Sequence, residues 1–414
     1  MVEARTEPGL GQRLRAYREG RGWSLREVAA KAGVNHGYLS QLERGDVAEP
    51  GPSMLHKVAT GYEVPFTAVM TWAGYIEEST GELTPNQAMA LRYLGDDVSK
   101  EELDAIRAVL DVLRARRATF GPQEARLDGH LTSEERHDIR INVERLLHRA
   151  DAWGVMPTPL EQVLDVAQLV AAGEIQLDAA ERHQLRGLFG GLIDKVLSKL
   201  EGAIHRQARE VWVQPELPEL RRRFVLAHEI GHDTLPWQRE IAYLDDKHRL
   251  CDDVRIRFER EANQAAIELL AQGDTLRREA DDSALSVVLL SELSAKYQIS
   301  MQATARRIIE ETHRDAAMAI RYRGAAGRAG PYHVYCSPTF STRFGWTSTA
   351  FPCEARAAAR DANGGWGVAG FTISDRSATL VEMTVETVEN RWAFIALFTP
   401  VAKGRTLRRL LHVS

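Results

Sequence analysis

The sequence predicts a mostly α protein with small β elements, laid out in several parts along 414 residues. Three observations carry that reading. Residues 9–75 show helical apolar spacing punctuated by glycine turns, and residues 221–270 hold two amphipathic helices rich in possible metal ligands. Beyond Gly330 the pattern turns strand-like. The expected divisions are an N-terminal five-helix bundle at 1–76, a helical linker at 77–130, an α+β domain with a helical tail at 131–323, and a small β-rich domain at 324–414.

In the first part, Leu10, Leu14 and Tyr17 give one amphipathic helix, and Ser24 caps a second over Leu25–Lys31. Ala32-Gly33-Val34 supplies a tight turn, Asn35 caps a third helix through Arg44, and Gly45 closes it. Pro52-Ser53 opens a fourth helix and Pro65 a fifth. A helix, a short glycine turn and a polar-faced helix with Leu39 and Leu42 inward is a helix-turn-helix plan. Between Gly9 and Gly45 there are seven Lys/Arg against three Asp/Glu, a local balance of +4 in a chain of net charge −5. Phosphates require that sign.

Through Ser24-Leu25-Arg26-Glu27-Val28-Ala29 and Tyr38-Leu39-Ser40-Gln41-Leu42-Glu43-Arg44-Gly45, this stretch resembles the XRE (λ repressor-like) family. The resemblance implies double-stranded operator DNA as a partner, read by a homodimer whose modules each cover a half-site. By position, Asn35, His36, Tyr38 and Gln41 would face base edges, and Gln41 could bond an adenine edge twice. Arg26 and Arg44 would lie near phosphates, which fix register without reading sequence.

The linker opens with a loop at Ser79–Pro85. Ser99 then caps a run in which Leu103, Ile106, Val109, Leu110 and Leu113 share a helical face suited to a neighbour, a dimer partner among them.

In the third part, His228-Glu229-Ile230-Gly231-His232 places two imidazoles one helical turn apart on the same face. Such a pair holds Zn²⁺ at roughly 2.0–2.1 Å per nitrogen and leaves positions open. Glu229 sits beside the first histidine, where a carboxylate can take a proton from water. Gly231 costs about 1 kcal/mol inside a helix and calls for a packing reason. A third ligand is expected from the next helix, where Ala262, Ala265, Ala266 and Leu269 form the apolar stripe. Glu259 lies on the face of Ala262 and Asn263, whereas Glu261 points about 200° away at roughly 100° per residue. Glu259 is therefore the expected ligand and Glu261 the fallback.

The run Arg223-Phe224-x-x-Ala227-His228-Glu229-x-Gly231-His232, followed by Glu259-x-x-Ala262-Asn263, resembles the ImmA/IrrE family of zinc metallopeptidases over roughly residues 131–320. That resemblance implies a zincin-like α+β fold. Its small strands are expected at Glu174–Leu177 and Glu210–Val213, with an added amphipathic helix at Leu185–Gln207 between them. It also implies a zinc endopeptidase with Glu229 as catalytic base, acting on a protein substrate of repressor type in a stress or phage-related response. Leu285–Thr312 reads as two short helices around Tyr297-Gln298-Ile299-Ser300, the family's helical tail.

From residue 321 the pattern changes. Gly324, Gly327 and Gly330 suggest a joint, and strands are expected at Tyr332–Cys336, Gly367–Ile373, Thr379–Val385 and Trp392–Phe398. The expected domain has little helix and weakly resembles the GAF-like sensory appendage of some family members. Trp366, Trp392, Tyr332 and Phe371 are candidates to line a pocket there.

Composition bounds the alternatives. Hydrophobic content of 44% and charged content of 27% fit a globular protein, and no window approaches 18 uncharged apolar residues, so no membrane span is expected. The first seven residues carry mixed charge, so no secretory leader is expected. Cys251, Cys336 and Cys353 are odd in number and share no C-x-x-C spacing, which fits a reduced, cytoplasmic protein. The reading that combines these parts is a DNA-binding regulator carrying its own zinc endopeptidase. Two others fit the sequence: a repressor whose metal is structural or sensory, and an antitoxin-like interaction protein.

Overall fold

The computed structural model describes residues 9–78, 131–172, 202–205, 209–241, 248–323, 329–362, 366–389 and 393–401. The chain forms two compact units, Met1–Trp153 with Leu160–Leu269, and Gly154–Pro159 with Leu270–Ser414.

The first unit opens with the expected five helices, α1 (Leu10–Gly20), α2 (Leu25–Ala32), α3 (His36–Arg44), α4 (Pro52–Tyr62) and α5 (Phe66–Trp72). Local chemistry fixes the turn. Ser24 accepts from the Glu27 amide at 3.2 Å while the Glu27 carboxylate accepts from the Ser24 amide at 2.7 Å, a reciprocal cap on α2. Gly33 ends α2 at φ +64°, where a side chain would be strained, and the Asn35 side chain caps α3 through the Gly37 amide at 2.7 Å. Leu14, Val28, Leu39, Leu42, Val58 and Tyr62 make the core of the bundle. A buried carboxylate crosses it: Glu43 accepts two bonds from Arg18, at 2.7 and 2.8 Å, and one from the Tyr62 hydroxyl.

This bundle is tied to the α+β body within the same unit. Strand β1 (Ile76–Glu78) pairs antiparallel with β5 (His248–Leu250), Ile76 opposite Leu250. Lys57 reaches Asp138 at 2.6 Å, and Arg257 bonds Glu135. Asp138 and Glu135 belong to α6 (Ser133–Arg149), which leads to α7 (Leu160–Ala167).

A three-stranded sheet follows, ordered β2 (Val170–Ala172), β4 (Glu210–Val213), β3 (Gly202–His205), with β2–β4 parallel and β3–β4 antiparallel. Glu210–Val213 is a strand as expected. Gly202–His205 is also a strand, so the helix expected over Leu185–Gln207 cannot extend that far; the register with Val213 through Glu210 claims its backbone. The rest of that helix, the strand expected at Glu174–Leu177 and the linker helix near Ser99 lie outside the described residues. Against β3, β4 and α7 packs α8 (Glu219–Thr234), followed by α9 (Pro236–Ile241) and α10 (Asp252–Ala271).

The second unit holds α11 (Thr275–Asp281), α12 (Val287–Tyr297) and α13 (Met301–Glu311), then a five-stranded antiparallel sheet. Its strands are β6 (Ala317–Arg323), β7 (Ala329–Cys336), β8 (Trp366–Ser374), β9 (Leu380–Glu389) and β10 (Ala393–Pro400), in the order β7-β6-β10-β9-β8. Between β7 and β8 lie α14 (Pro338–Phe344) and α15 (Cys353–Asp361). Their Phe340, Phe344, Ala355 and Ala359 pack with Met383, Val385, Ala396 and Phe398 on one sheet face. The other face is buried as well, through Met318, Ile320, Ile395 and Leu397, and Arg306 of α13 stacks over Tyr335 there.

Three expectations change here. Ala317–Arg323 is the second strand of the sheet, so a boundary at 323/324 cuts through a hairpin, and the glycine-rich stretch links two paired strands rather than two domains. Two helices cover the sheet, which was expected to have little helix. Tyr332 and Phe371 pack against the aromatic core, so they fill it rather than line a pocket; Trp392 lies outside the described residues.

Candidate metal centre and DNA-binding face

Helix α8 buries Val225, Ala227, Ile230 and Gly231, and that face carries His228 and His232 inward with it. Gly231 has its packing reason: a Cβ there would meet the Ala262 carbonyl and the Ala265 Cβ, each at 3.0 Å. Helix α10 thus lies close against α8 and delivers Glu259 to the histidines. Glu259 approaches His228 Nε2 at 3.3 Å and His232 Nε2 at 3.5 Å, and the two Nε2 atoms are 3.1 Å apart. The 3.3 Å approach is made by Glu259 Oε2 and the 3.5 Å approach by Oε1, so the carboxylate straddles the two imidazoles, and one ligand atom from each residue lies within 4.8 Å of the others. Among the described residues, this is the one cluster of three or more such side chains able to hold a metal. The donor set therefore fits Zn²⁺.

The outer nitrogens are held too. His228 Nδ1 lies 3.1 Å from Asn263 Oδ1, and His232 Nδ1 lies 2.7 Å from Gln238 Oε1. Partners on Nδ1 turn both Nε2 atoms toward the shared centre. Burial works against a charged His228 ring, yet its bond to Glu259 and the charges of Glu229 and Glu259 outweigh it and hold the ring above its ordinary range. The pocket is thus electrostatically set for positive charge.

Glu261, the fallback ligand, faces elsewhere. It is fully buried and accepts from Trp237 Nε1 and Gln238 Nε2, both at 2.7 Å. Burial pushes its carboxyl up to about 7, with those two bonds pulling the other way. Glu229 is buried on α8 beside His228. Gln238 and Asn263 escaped sequence reasoning as partners of the histidines. Asn263 carried a signal, sharing the face of Glu259 one turn on, but Gln238 carried none.

On the DNA side, Arg26, Asn35, His36, Gln41 and Arg44 are exposed. The Asn35 carbonyl is committed to its cap and Arg44 pairs with Asp46 at 2.8 Å. Tyr38 departs from the expectation. It is half-buried against the bundle core, and burial, with Glu134 adding, pushes its hydroxyl up to about 12. Its ring serves packing, because the α3 register that turns Gln41 outward turns Tyr38 partly inward.

The architecture is a helix-turn-helix bundle joined to an α+β body in which two histidines and a glutamate cluster where they could hold a metal ion. Residues 9–69 match the family described as a helix-turn-helix domain, and residues 194–308 match the IrrE N-terminal-like domain of the M78 peptidases. The chain thus joins an XRE-type helix-turn-helix domain to an IrrE-like M78 domain. It is 37% identical over 69 residues to the HTH-type transcriptional repressor RghR of Bacillus subtilis, covering 17% of this chain and 51% of that one. It is 44% identical over 55 residues to the regulator SinR of the same organism, covering 13% and 50%. The chain spans about half the length of the curated relatives it matches. A Mycobacterium tuberculosis transcriptional regulator aligns structurally over 67% of this chain and 80% of its own, at 13% identity and a TM-score of 0.39. Among the described residues, no helix is long and apolar enough to cross a membrane.

Proposed function

We propose that this protein is a cytoplasmic DNA-binding transcriptional regulator carrying a zinc-dependent endopeptidase. The observation that carries the reading is the convergence of His228, His232 and Glu259, with ligand atoms within 4.8 Å of one another, on two helices pressed together at Gly231. A Zn²⁺ held there supplies Lewis-acid polarisation of a peptide carbonyl and makes water more acidic. Glu229 accepts the proton of the attacking water and passes it to the leaving amine. Asn263 and Gln238 hold the imidazoles in the orientation this requires. The exposed His36, Gln41 and Arg44 of α3, with the exposed Arg26 of α2, bind an operator as one half of a dimer. The substrate is a protein, of repressor type by family resemblance.

The test compares protein N-termini in cells carrying the wild-type chain and Glu229→Gln. That substitution keeps the ligands, so zinc content should stay near one per chain while a set of new N-termini disappears. Identical N-termini in the two strains would instead favour a metal of structural or sensory role.

A further inference from the structure

Helix α9 (Pro236–Ile241) follows α8 directly, and its side chains reach both the metal ligands and the DNA-binding bundle. The chemistry of Gln238 fixes the first connection. Its amide nitrogen donates to the Phe258 carbonyl at 3.1 Å and to Glu261 Oε2 at 2.7 Å, so Oε1 is the atom facing His232. An oxygen 2.7 Å from Nδ1 requires the proton on Nδ1, which leaves the Nε2 lone pair for a cation. The neighbouring residue uses the same anchor: Trp237 Nε1 donates to Glu261 Oε2 at 2.7 Å.

The second connection leaves α9 on its other side. The Trp237 ring lies 6.5 Å from that of His56 in α4, whose ring stands edge-on to Phe66 of α5 at 5.2 Å. His56 also reaches Glu240 of α9 at 3.2 Å. Trp237, Gln238 and Glu261 are exposed by 3%, 1% and 0%, so water cannot replace a bond that one of them gives up. Turning the His232 ring would break its bond to Gln238 Oε1, and the same amide is tied through Nε2 to Phe258 and Glu261, so the ring and these buried partners hold one another in place.

We propose that α9 couples occupancy of the metal centre to the seating of the DNA-binding bundle, with Gln238 as the positioning residue at one end and the Trp237–His56 contact at the other. The proposal rests on the zinc reading of the centre. A cation that fixes the His232 ring fixes Gln238 and Glu261, stiffens α9, and steadies α4 where His56 meets it. Metal loading would then restrict how the bundle moves on the body and bias its presentation to DNA.

The test is amide hydrogen exchange of the full chain with and without zinc chloride, read at Pro236–Ile241 and at Met54–Thr60. In the wild type, zinc should slow exchange several-fold in both segments. Gln238→Met should bind zinc roughly 10–100-fold more weakly and shift the visible bands of the cobalt-substituted centre. Once saturated with zinc, it should show no slowing at Met54–Thr60. His56→Ala should keep wild-type zinc affinity and cobalt spectrum, and keep protection in α9, but lose it in α4. If Gln238→Met fails to fold, His56→Ala alone decides. Wild-type protein that binds zinc with unchanged exchange at Met54–Thr60, or a His56→Ala chain that keeps the α4 response, overturns the coupling and leaves the zinc reading standing. Wild-type protein that takes up no zinc overturns both.

Discussion

A Cβ placed on Gly231 would stand 3.0 Å from the Cβ of Ala265, closer than the great majority of real side-chain contacts. That distance sets how near α8 lies to α10, and so how near Glu259 lies to the two histidines.

Gly231→Ala therefore has two effects of opposite sign. Alanine gains about 1 kcal/mol of helix propensity over glycine, while its methyl pushes on the Ala262 carbonyl and Ala265. Melting temperature should move little, and zinc affinity should fall, because a shift of a few tenths of an ångström opens the ligand triangle. Competition with a chelator measures this. Unchanged affinity would mean that the helix contact does not set the ligand spacing.

The ligand assignment predicts a graded series. His228→Ala and His232→Ala should lose zinc, and Glu259→Ala should weaken it more than Glu261→Gln. Glu261 serves Trp237 and Gln238, so its replacement should appear mainly in thermal stability. Metal content by atomic emission, beside a melting curve for each variant, separates the two roles. A zinc loss in Glu261→Gln equal to that in Glu259→Ala would reverse the assignment.

Much of this centre could be read from the chain because it depends on local periodicity. A spacing of four residues puts His228 and His232 on one face of any helix, and counting 100° per residue separates Glu259 from Glu261 before any packing is known. Gln238 was illegible for the converse reason: its bond to His232 depends on how α9 folds back after Leu235. Strand β6 was missed because Ala317, Met318, Ala319 and Ile320 are buried on both faces of the sheet, which erases the alternation that marks a half-exposed strand. Strands β6 and β7 pair antiparallel, but glycine spacing in a sequence does not tell a hairpin from a domain linker. In α3 the caps were legible and Tyr38 was not, since a tyrosine at the edge of a helix face suits either the core or a base edge.

The DNA-binding face yields contrasting outcomes for three residues. Gln41→Ala should relax preference at one base position at a cost of about 1–3 kcal/mol. Arg44→Ala should weaken binding to all sequences and reduce the salt slope by about 1. Tyr38→Ala should lower the melting temperature of the bundle, because its ring packs on the core. Operator selection from a random library, repeated at several salt concentrations, gives all three readouts. Identical profiles for Gln41→Ala and Arg44→Ala would show that α3 does not read bases.

The cysteines of the second unit differ in reactivity, and pH exposes the difference. Cys353 is exposed at the start of α15, while burial pushes the Cys336 thiol up to about 12 from an ordinary 9.0. The thiolate is the reactive form, so iodoacetamide at pH 8 should label Cys353 readily and leave Cys336 unlabelled until the protein is unfolded. The raised value also fixes the sign of a stability effect. Below about pH 9 both folded and unfolded chains keep this proton, and the contribution is fully present. As pH rises from 9 toward 12 the unfolded chain releases the proton while the folded unit retains it, so stability falls. Cys336→Ala should flatten that alkaline loss. Urea unfolding across pH 8–11 checks this, and equal slopes in wild type and Cys336→Ala would show that the Cys336 thiol is not held neutral by its burial.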